Sequence, residues 1–353
     1  MRRALVTGIA GQDGPYLARH LLNAGYHVTG TYRSEATGTF PGLDFLEIRD
    51  RVHVRPMDLT EYESVHDVVH DTLPDVVFNL AAQSHVGYSF KTPVSTLLST
   101  GLGVVHLLEA IRAEYPEGHI RSGHVRFYQA STSELYGGIA GVNGTFNEGT
   151  KFHPRSPYAA AKLYAFAMAQ NYREAYGMHA SNGILFNHES PLRGPNFVTR
   201  KVTMKVAEIT RNRLFGQSWT PLEIGNIDAT RDWGHADDYT KAMLLMTEAD
   251  SPDDYVVATG ISHSIRELVD IAFKDLGISG TWIGKEEDST YIDEEGDTLV
   301  RINPEFYRPS DCTNLTGDAS KVKRELGWEP SWSFEALICD MVREDYKRLR
   351  DGS

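Results

Sequence analysis

The first half of the chain alternates short, unbroken apolar runs with longer segments of helical period. RALVTG (3–8), YHVTGTY (26–32), RVHVRPMD (51–58), DVVFNLAA (75–82), HVRFYQAS (124–131) and HASNGILF (179–186) predict strands. Between them, PYLARHLLNAG (15–25) predicts a helix closed by Gly25. Further helices are expected from Thr60, near 93–115, and from about 157 to 176. Thr60 and Glu63 have the spacing of a capping box, in which hydroxyl and carboxylate satisfy the free N–H groups of a first turn. Strands buried on both faces read as continuous apolar runs. The pattern therefore predicts an α/β chain with a Rossmann-type doubly wound parallel sheet.

After residue 187 the alternation loosens. Pro and Gly crowd 191–195, a helical pattern follows at 199–213, and the main-sheet pattern returns near 231–249 and 255–260. ISHSIRELVDIAFKDLG (261–277) reads as a helix with Gly277 at its C-cap. The acidic stretch 284–303 reads as a surface excursion, and helices over DASKVKRELGW and 333–349 close the chain. The division expected is a Rossmann domain over 1–187, joined again by 229–260. The remainder, 188–228 and 261–353, forms a smaller C-terminal substrate-binding lobe.

Composition narrows the function. The 353 residues carry 35 Lys and Arg against 48 Asp and Glu, a net charge of 35 − 48 = −13. That balance lacks the electrostatic footprint of a nucleic-acid or anionic-membrane partner. No window approaches about eighteen apolar residues, so no membrane span is expected. Cys312 and Cys339 are the two cysteines and form no CxxC pair, which argues for a reducing compartment and against structural zinc. The start MRRALVTGIAGQDG is interrupted too early for a signal peptide. A cytoplasmic protein without a metal site is the expectation.

TGIAGQDG sets Gly8, Gly11 and Gly14 between the first strand and the first helix. A helix N-terminus offers unpaired N–H groups to a diphosphate, and glycine lets the backbone approach it. The spacing is GxxGxxG, and its position points to a dinucleotide. The second strand ends in Arg33 where NAD enzymes carry a carboxylate, which favours the 2′-phosphate of NADP. A solvated loop arginine is the plainer reading. Asp58, after the third strand, suits either the adenine amino group or the cap of the next helix.

Tyr158 and Lys162 stand four apart on one helix face. A tyrosine near pKa 10 is a poor base at neutral pH, and a nearby ammonium favours the phenolate. Thr132, at a strand exit beside Ser133, can hydrogen-bond the oxygen that Tyr158 deprotonates. Glu134 can remove a carbon-bound proton and protonate a leaving hydroxyl. Its plain alternative is a turn cap.

The stretches TGIAGQDGPYL, NLAAQSHVGYSF, FYQASTSELYG, FHPRSPYAAAKLYA, NHESPLRG, FVTRKVT and GNIDATRDWGHADDY resemble GDP-mannose 4,6-dehydratases of the extended short-chain dehydrogenase/reductase superfamily. The resemblance runs from residue 3 to about 332. It implies that NADP contacts Gly8, Ile9, Gly11, Gln12, Asp13, Gly14, Arg33, Asp58, Leu59, Leu80, Gln83, Ser84, Tyr158, Lys162, His188 and Arg193. It implies chemistry by Thr132, Glu134 and Tyr158. It implies that a GDP-sugar is held by Asn187, Val198, Lys201, Asn226, Arg231 and Arg308, with Asp311 where the family has a glutamate. It further implies a homo-oligomer, dimer or tetramer. Besides Asp311, the chain departs from the family where Ser34 follows Arg33 in place of a second arginine, where Leu192 replaces an arginine of SPRRG, and over 35–50 and 284–303, which lack a close match. A related GDP-sugar such as GDP-manno-heptose remains open as substrate. So, more distantly, does a keto-sugar nucleotide reductase or epimerase activity.

Overall fold

The computed structural model describes residues 2–33, 39–115, 125–138, 144–306 and 315–352. The apolar runs become β1 (Arg3–Thr7), β2 (His27–Tyr32), β3 (Val52–Pro56), β4 (Val76–Asn79), β5 (Arg126–Ala130) and β6 (His179–Leu185). Between them lie α1 (Asp13–Asn23), α2 (Pro41–Phe45), α3 (Tyr62–Thr72), α4 (Val86–Ser89), α5 (Pro93–Thr96), α6 (Gly103–Glu114) and α7 (Pro157–Tyr176). There follow β7 (Asn187–Glu189), α8 (Val198–Leu214), β8 (Leu222–Ile224), β9 (Thr230–His235), α9 (Ala236–Glu248), β10 (Asp254–Val257) and β11 (Ser262–Ser264). The chain continues through α10 (Ile265–Asp275), β12 (Gly280–Ile283), β13 (Thr290–Asp293), β14 (Thr298–Ile302), α11 (Ser320–Leu326) and α12 (Phe334–Asp351).

Seven parallel strands form the main sheet in the order β10-β6-β5-β4-β1-β2-β3, the doubly wound Rossmann-type arrangement. Alternate side chains feed its two layers. Leu5, Val77 and Phe127 pack with Val65, Val68 and Leu107 of α3 and α6. Val6, Phe78 and Tyr128 pack with Leu17, Leu21, Ala242 and Met243 of α1 and α9. At the carboxyl ends of β1, β4 and β5, Thr7 donates to Asn79 (2.8 Å), which donates to Gln129 (2.8 Å). Strand order reverses between β1 and β4, and the crevice outside such a reversal is where this fold binds ligands.

A second apolar cluster joins α8, α10 and α12 to β8, β13 and β14 through Val202, Phe273, Tyr291, Leu299, Val300 and Met341. This corrects the reading of 284–303: its acidic residues flank two strands whose apolar positions are buried. β12, β13, β14 and β8 form one sheet. The 231–249 region divides differently from expectation. α9 covers the main sheet, but β9 leaves it to pair with β7 and β11 in a small sheet. The helix read from 261 begins at Ile265, because Ser262–Ser264 pairs antiparallel with β9. Gly277 ends that helix at φ 79°, as expected.

The capping box at Thr60 does not form. Asp58 Oδ1 captures the Thr60 N–H (2.9 Å) and hydroxyl (2.8 Å), so a local side-chain turn wins and α3 starts at Tyr62. A capping box does form at Ser264 and Glu267. The helical run near 93–115 passes through a π segment, Leu97–Leu102. Contrary to the sequence expectation, Pro93–Glu114 is long and apolar enough, by length and composition, to cross a membrane. Half of the window concerned is buried in the fold.

Candidate active site

The glycine turn has no room for side chains. A Cβ on Gly14 would lie 2.7 Å from Ile9 Cα, and one on Gly8, at φ 72°, would lie 3.0 Å from the Ala81 backbone. At Gly11 only the Gly8 carbonyl, 3.2 Å away, is near. This bare backbone opens directly onto the N-terminus of α1, a fit for a dinucleotide diphosphate. Ile9 and Leu59 offer it backbone only. The Ile9 side chain is fully buried beneath Gly30, and Leu59 packs against Gly103. Arg33 Nε lies 3.6 Å from Asp58 Oδ2. Desolvation pulls the Asp58 carboxyl upward, but the Thr60 bonds and Arg33 hold it below its ordinary value. Asp58 thus closes a turn at Thr60 ahead of α3 and does not cap the helix itself, and its second oxygen is turned to Arg33.

Beyond the turn lies a cleft of about 430 Å³. It brings together Asp13, Leu80, Ser84, Thr132, Ser133, Glu134, Tyr158, Lys162, Asn187, His188, Arg193, Val198, Lys201, Asn226 and Arg231 from the sequence-predicted set. Gln83 sits beside it in a side pocket with Tyr88 and Phe197. Arg308 and Asp311 lie outside the described residues.

Local structure aims the chemical groups. Thr132 caps the short 3₁₀ turn Ser133–Tyr136, accepting from the Glu134 N–H at 3.2 Å. Ser156 caps α7 and Pro157 takes its first position, so Tyr158 leaves the first turn of that helix into the cleft. Thr132 lies close enough to the Tyr158 hydroxyl to oppose the effect of burial on its pKa. Lys162 donates to the Ala130 carbonyl at 2.7 Å and stands 6.0 Å from the Tyr158 ring centre.

Burial pushes the Tyr158 phenol up to about 12; Glu134 and Asp13 add to this, while Thr132 and Arg193 oppose it. The Lys162 ammonium points at Ala130, and burial brings Lys162 itself down to about 8.

Basic groups also line the cleft. Arg193 pairs with the buried Glu189 at 3.0 Å and lies over the Phe197 ring at 3.5 Å. Lys201 Nζ lies 3.9 Å from the Phe306 ring centre. Arg231 donates to the Thr230 carbonyl at 2.8 Å. The loop bearing Arg193 is itself held from behind. Arg200 donates to the carbonyls of Pro191 (2.7 Å) and Arg193 (2.9 Å) while its Nε bonds both Asp345 oxygens.

Sequence reasoning missed His85, Glu189, Asn196, Phe197, Trp233 and Phe306, which also line the cleft. His85, Glu189, Phe197 and Trp233 lie inside the quoted motifs and could have been named. Phe306 carries no signal.

A profile described as GDP-mannose 4,6 dehydratase matches residues 5–341. The GDP-mannose 4,6 dehydratase of Drosophila melanogaster is 46% identical over 98% of this chain and 87% of its own. That of Sinorhizobium fredii is also 46% identical, over 98% of this chain and 97% of its own. Among solved structures, a UDP-glucose 4-epimerase from Thermotoga maritima superposes with TM-score 0.80 at 22% identity, covering 99% of each chain. RMD from Pseudomonas aeruginosa, solved with NADPH, gives 0.74 at 23% identity, covering 99% of this chain and 100% of its own. The structures share the fold; the profile and the close relatives go further, and by them this chain belongs to the GDP-mannose 4,6-dehydratase family.

Proposed function

We propose that this protein removes water from GDP-mannose, using NADP, to give GDP-4-keto-6-deoxymannose. One observation carries the reading: Thr132, Glu134 and Tyr158 share a cleft with Lys201 and Arg231. The first three address a sugar ring. The last two supply the positive end that a nucleoside diphosphate needs in an acidic protein.

Bound NADP supplies a hydride acceptor for C4 and a donor for C6, so it is regenerated in each turnover. Tyr158 takes the proton of the C4 hydroxyl, and Thr132 hydrogen-bonds the same oxygen. The C4 ketone acidifies the C5 hydrogen. Glu134 removes that proton and delivers one to the C6 oxygen, which leaves as water. Lys162, fixed by Ala130, lies beside Tyr158 where it can hold the cofactor ribose. Arg33 is assigned to the 2′-phosphate.

The protein works as a homo-oligomer in this reading. Tyr88, Phe90, Val94, Leu97 and Tyr164 are 52, 58, 70, 51 and 41% exposed along the 86–98 run and α7. A second copy of the same face would cover them. The cysteine usage favours a cytoplasmic setting.

The decisive experiment incubates the protein with C4-deuterated GDP-mannose and NADP⁺. Loss of one water with deuterium recovered at C6 is expected. A product that keeps its C6 oxygen overturns the dehydratase reading.

A further inference from the structure

His188 has an unusual pair of neighbours. Its Nδ1 lies 2.8 Å from the Phe186 carbonyl and its Nε2 lies 3.0 Å from Asp13 Oδ2. A carbonyl and a carboxylate only accept hydrogen bonds. Two ring nitrogens that both face acceptors must both donate, and only imidazolium carries two N–H groups. A neutral ring would set one nitrogen lone pair against an oxygen in a buried site.

Asp13 explains why the charge is there. It is the first residue of α1, next to the bare glycine turn, and it lines the cleft. A carboxylate suits the dipole of a helix N-terminus but repels an incoming diphosphate. The imidazolium cancels that repulsion. The same residues tie the turn to β7: Gln12 donates to the His188 carbonyl (3.0 Å) and accepts from Ser190 (3.1 Å).

We propose that His188 is a positioning residue, a standing imidazolium that neutralises Asp13 so that the first turn of α1 can accept the cofactor diphosphate. This rests on the dinucleotide site proposed above. The groups that bear on the pair are few. Arg193 opposes the imidazolium, Lys162 and Arg193 face Asp13, and Tyr128 and Tyr158 sense Asp13. Tyr239 of α9 stacks on the imidazole at 4.6 Å between ring centres. Burial alone pulls His188 down, but Asp13 and the Phe186 carbonyl raise it above its ordinary value, and the Asp13 carboxyl is held low. The pairing is therefore complete below the ordinary histidine range and is lost as pH rises through the elevated pKa of His188.

The test is a two-residue cycle read by NADP⁺ titration calorimetry, with no sugar present. His188→Gln should weaken binding about 10-fold or more, because Asp13 loses the cation that hydrogen-bonds it. Adding Asp13→Asn should restore most of that loss. A double variant as weak as His188→Gln overturns the proposal, since a purely structural histidine is not rescued by removing a carboxylate. Ring ¹⁵N spectra of the unliganded wild type, assigned with Asp13→Asn, give a second reading. Both His188 nitrogens should be protonated at neutral pH, and a neutral tautomer there equally overturns it. Wild type that binds no NADP⁺ at all counts against the proposed function instead, and the ring spectra then decide the histidine.

Discussion

Thr132 caps a 3₁₀ turn and Tyr158 sits in the first turn of α7, yet both line one cleft, where Thr132 opposes the upward pull of burial on the phenol. In the proposed reaction the two oxygens stand where a sugar hydroxyl must arrive. Tyr158→Phe should lower kcat by about 10²–10⁴-fold while NADP⁺ still binds. Thr132→Val should cost less, about 10²-fold, because one hydrogen bond to the reacting oxygen is lost and the base remains. Steady-state kinetics beside cofactor calorimetry separate the two. A Tyr158→Phe enzyme with normal kcat would remove Tyr158 from the chemistry.

Glu134→Gln keeps the size of the side chain and removes its basicity. Solvent deuterium should enter C5 about 10²–10⁴ times more slowly, with water loss slowed alongside it. Mass spectrometry of the sugar nucleotide in D₂O reads both. Exchange at C5 that survives unchanged would assign the base elsewhere.

Lys162 tests the cost of a buried charge. Burial lowers it from 10.5 to about 8. Between those values the unfolded chain binds the proton and the folded chain does not, so Lys162 favours folding more as pH rises. Lys162→Met should therefore be about 2 kcal/mol more stable than wild type near pH 7, even after losing the Ala130 bond. That gap should close towards pH 10. Urea unfolding across pH measures it, and a gap independent of pH would refute the buried charge.

Gly14 gives a purely steric prediction. An alanine there places Cβ 2.7 Å from Ile9 Cα, backbone against backbone. Gly14→Ala should cost about 1–3 kcal/mol of stability and weaken NADP⁺ binding with it. Thermal unfolding and calorimetry check the two halves together.

The exposed face at Val94 and Leu97 predicts an assembly. Light scattering on Val94→Asp/Leu97→Asp should find a smaller particle than wild type. A wild type that is monomeric at working concentration would dismiss the interface.

The parts legible in the sequence are those where one physical signal dominates. β1 and β4 are buried on both faces and read as apolar runs. Tyr158 and Lys162 are legible because four residues make one helical turn. Other features depend on partners far away in the chain. Ser262–Ser264 is a strand only because β9 lies beside it. Tyr291, Leu299 and Val300 are core residues behind acidic flanks, and the adjacent Leu299 and Val300 are both buried, so no period of two marks their strand. At Thr60 two local motifs compete for the same backbone N–H, and the nearer carboxylate wins. Phe306 reaches the cleft through its place beside Lys201, which no spacing encodes.

The bonds behind the Arg193 loop have a consequence for the order of events during synthesis. Arg200 meets Asp345 across 145 positions of sequence, and Arg348 also donates to the Pro191 carbonyl. A nascent chain can close its main sheet while α12 is still being made, but the wall of the cleft waits for that helix. Contacts of such separation form late. A ribosome-bound chain stalled before Asp345 should therefore resist proteolysis across β1–β6 and still be unable to grip a sugar nucleotide.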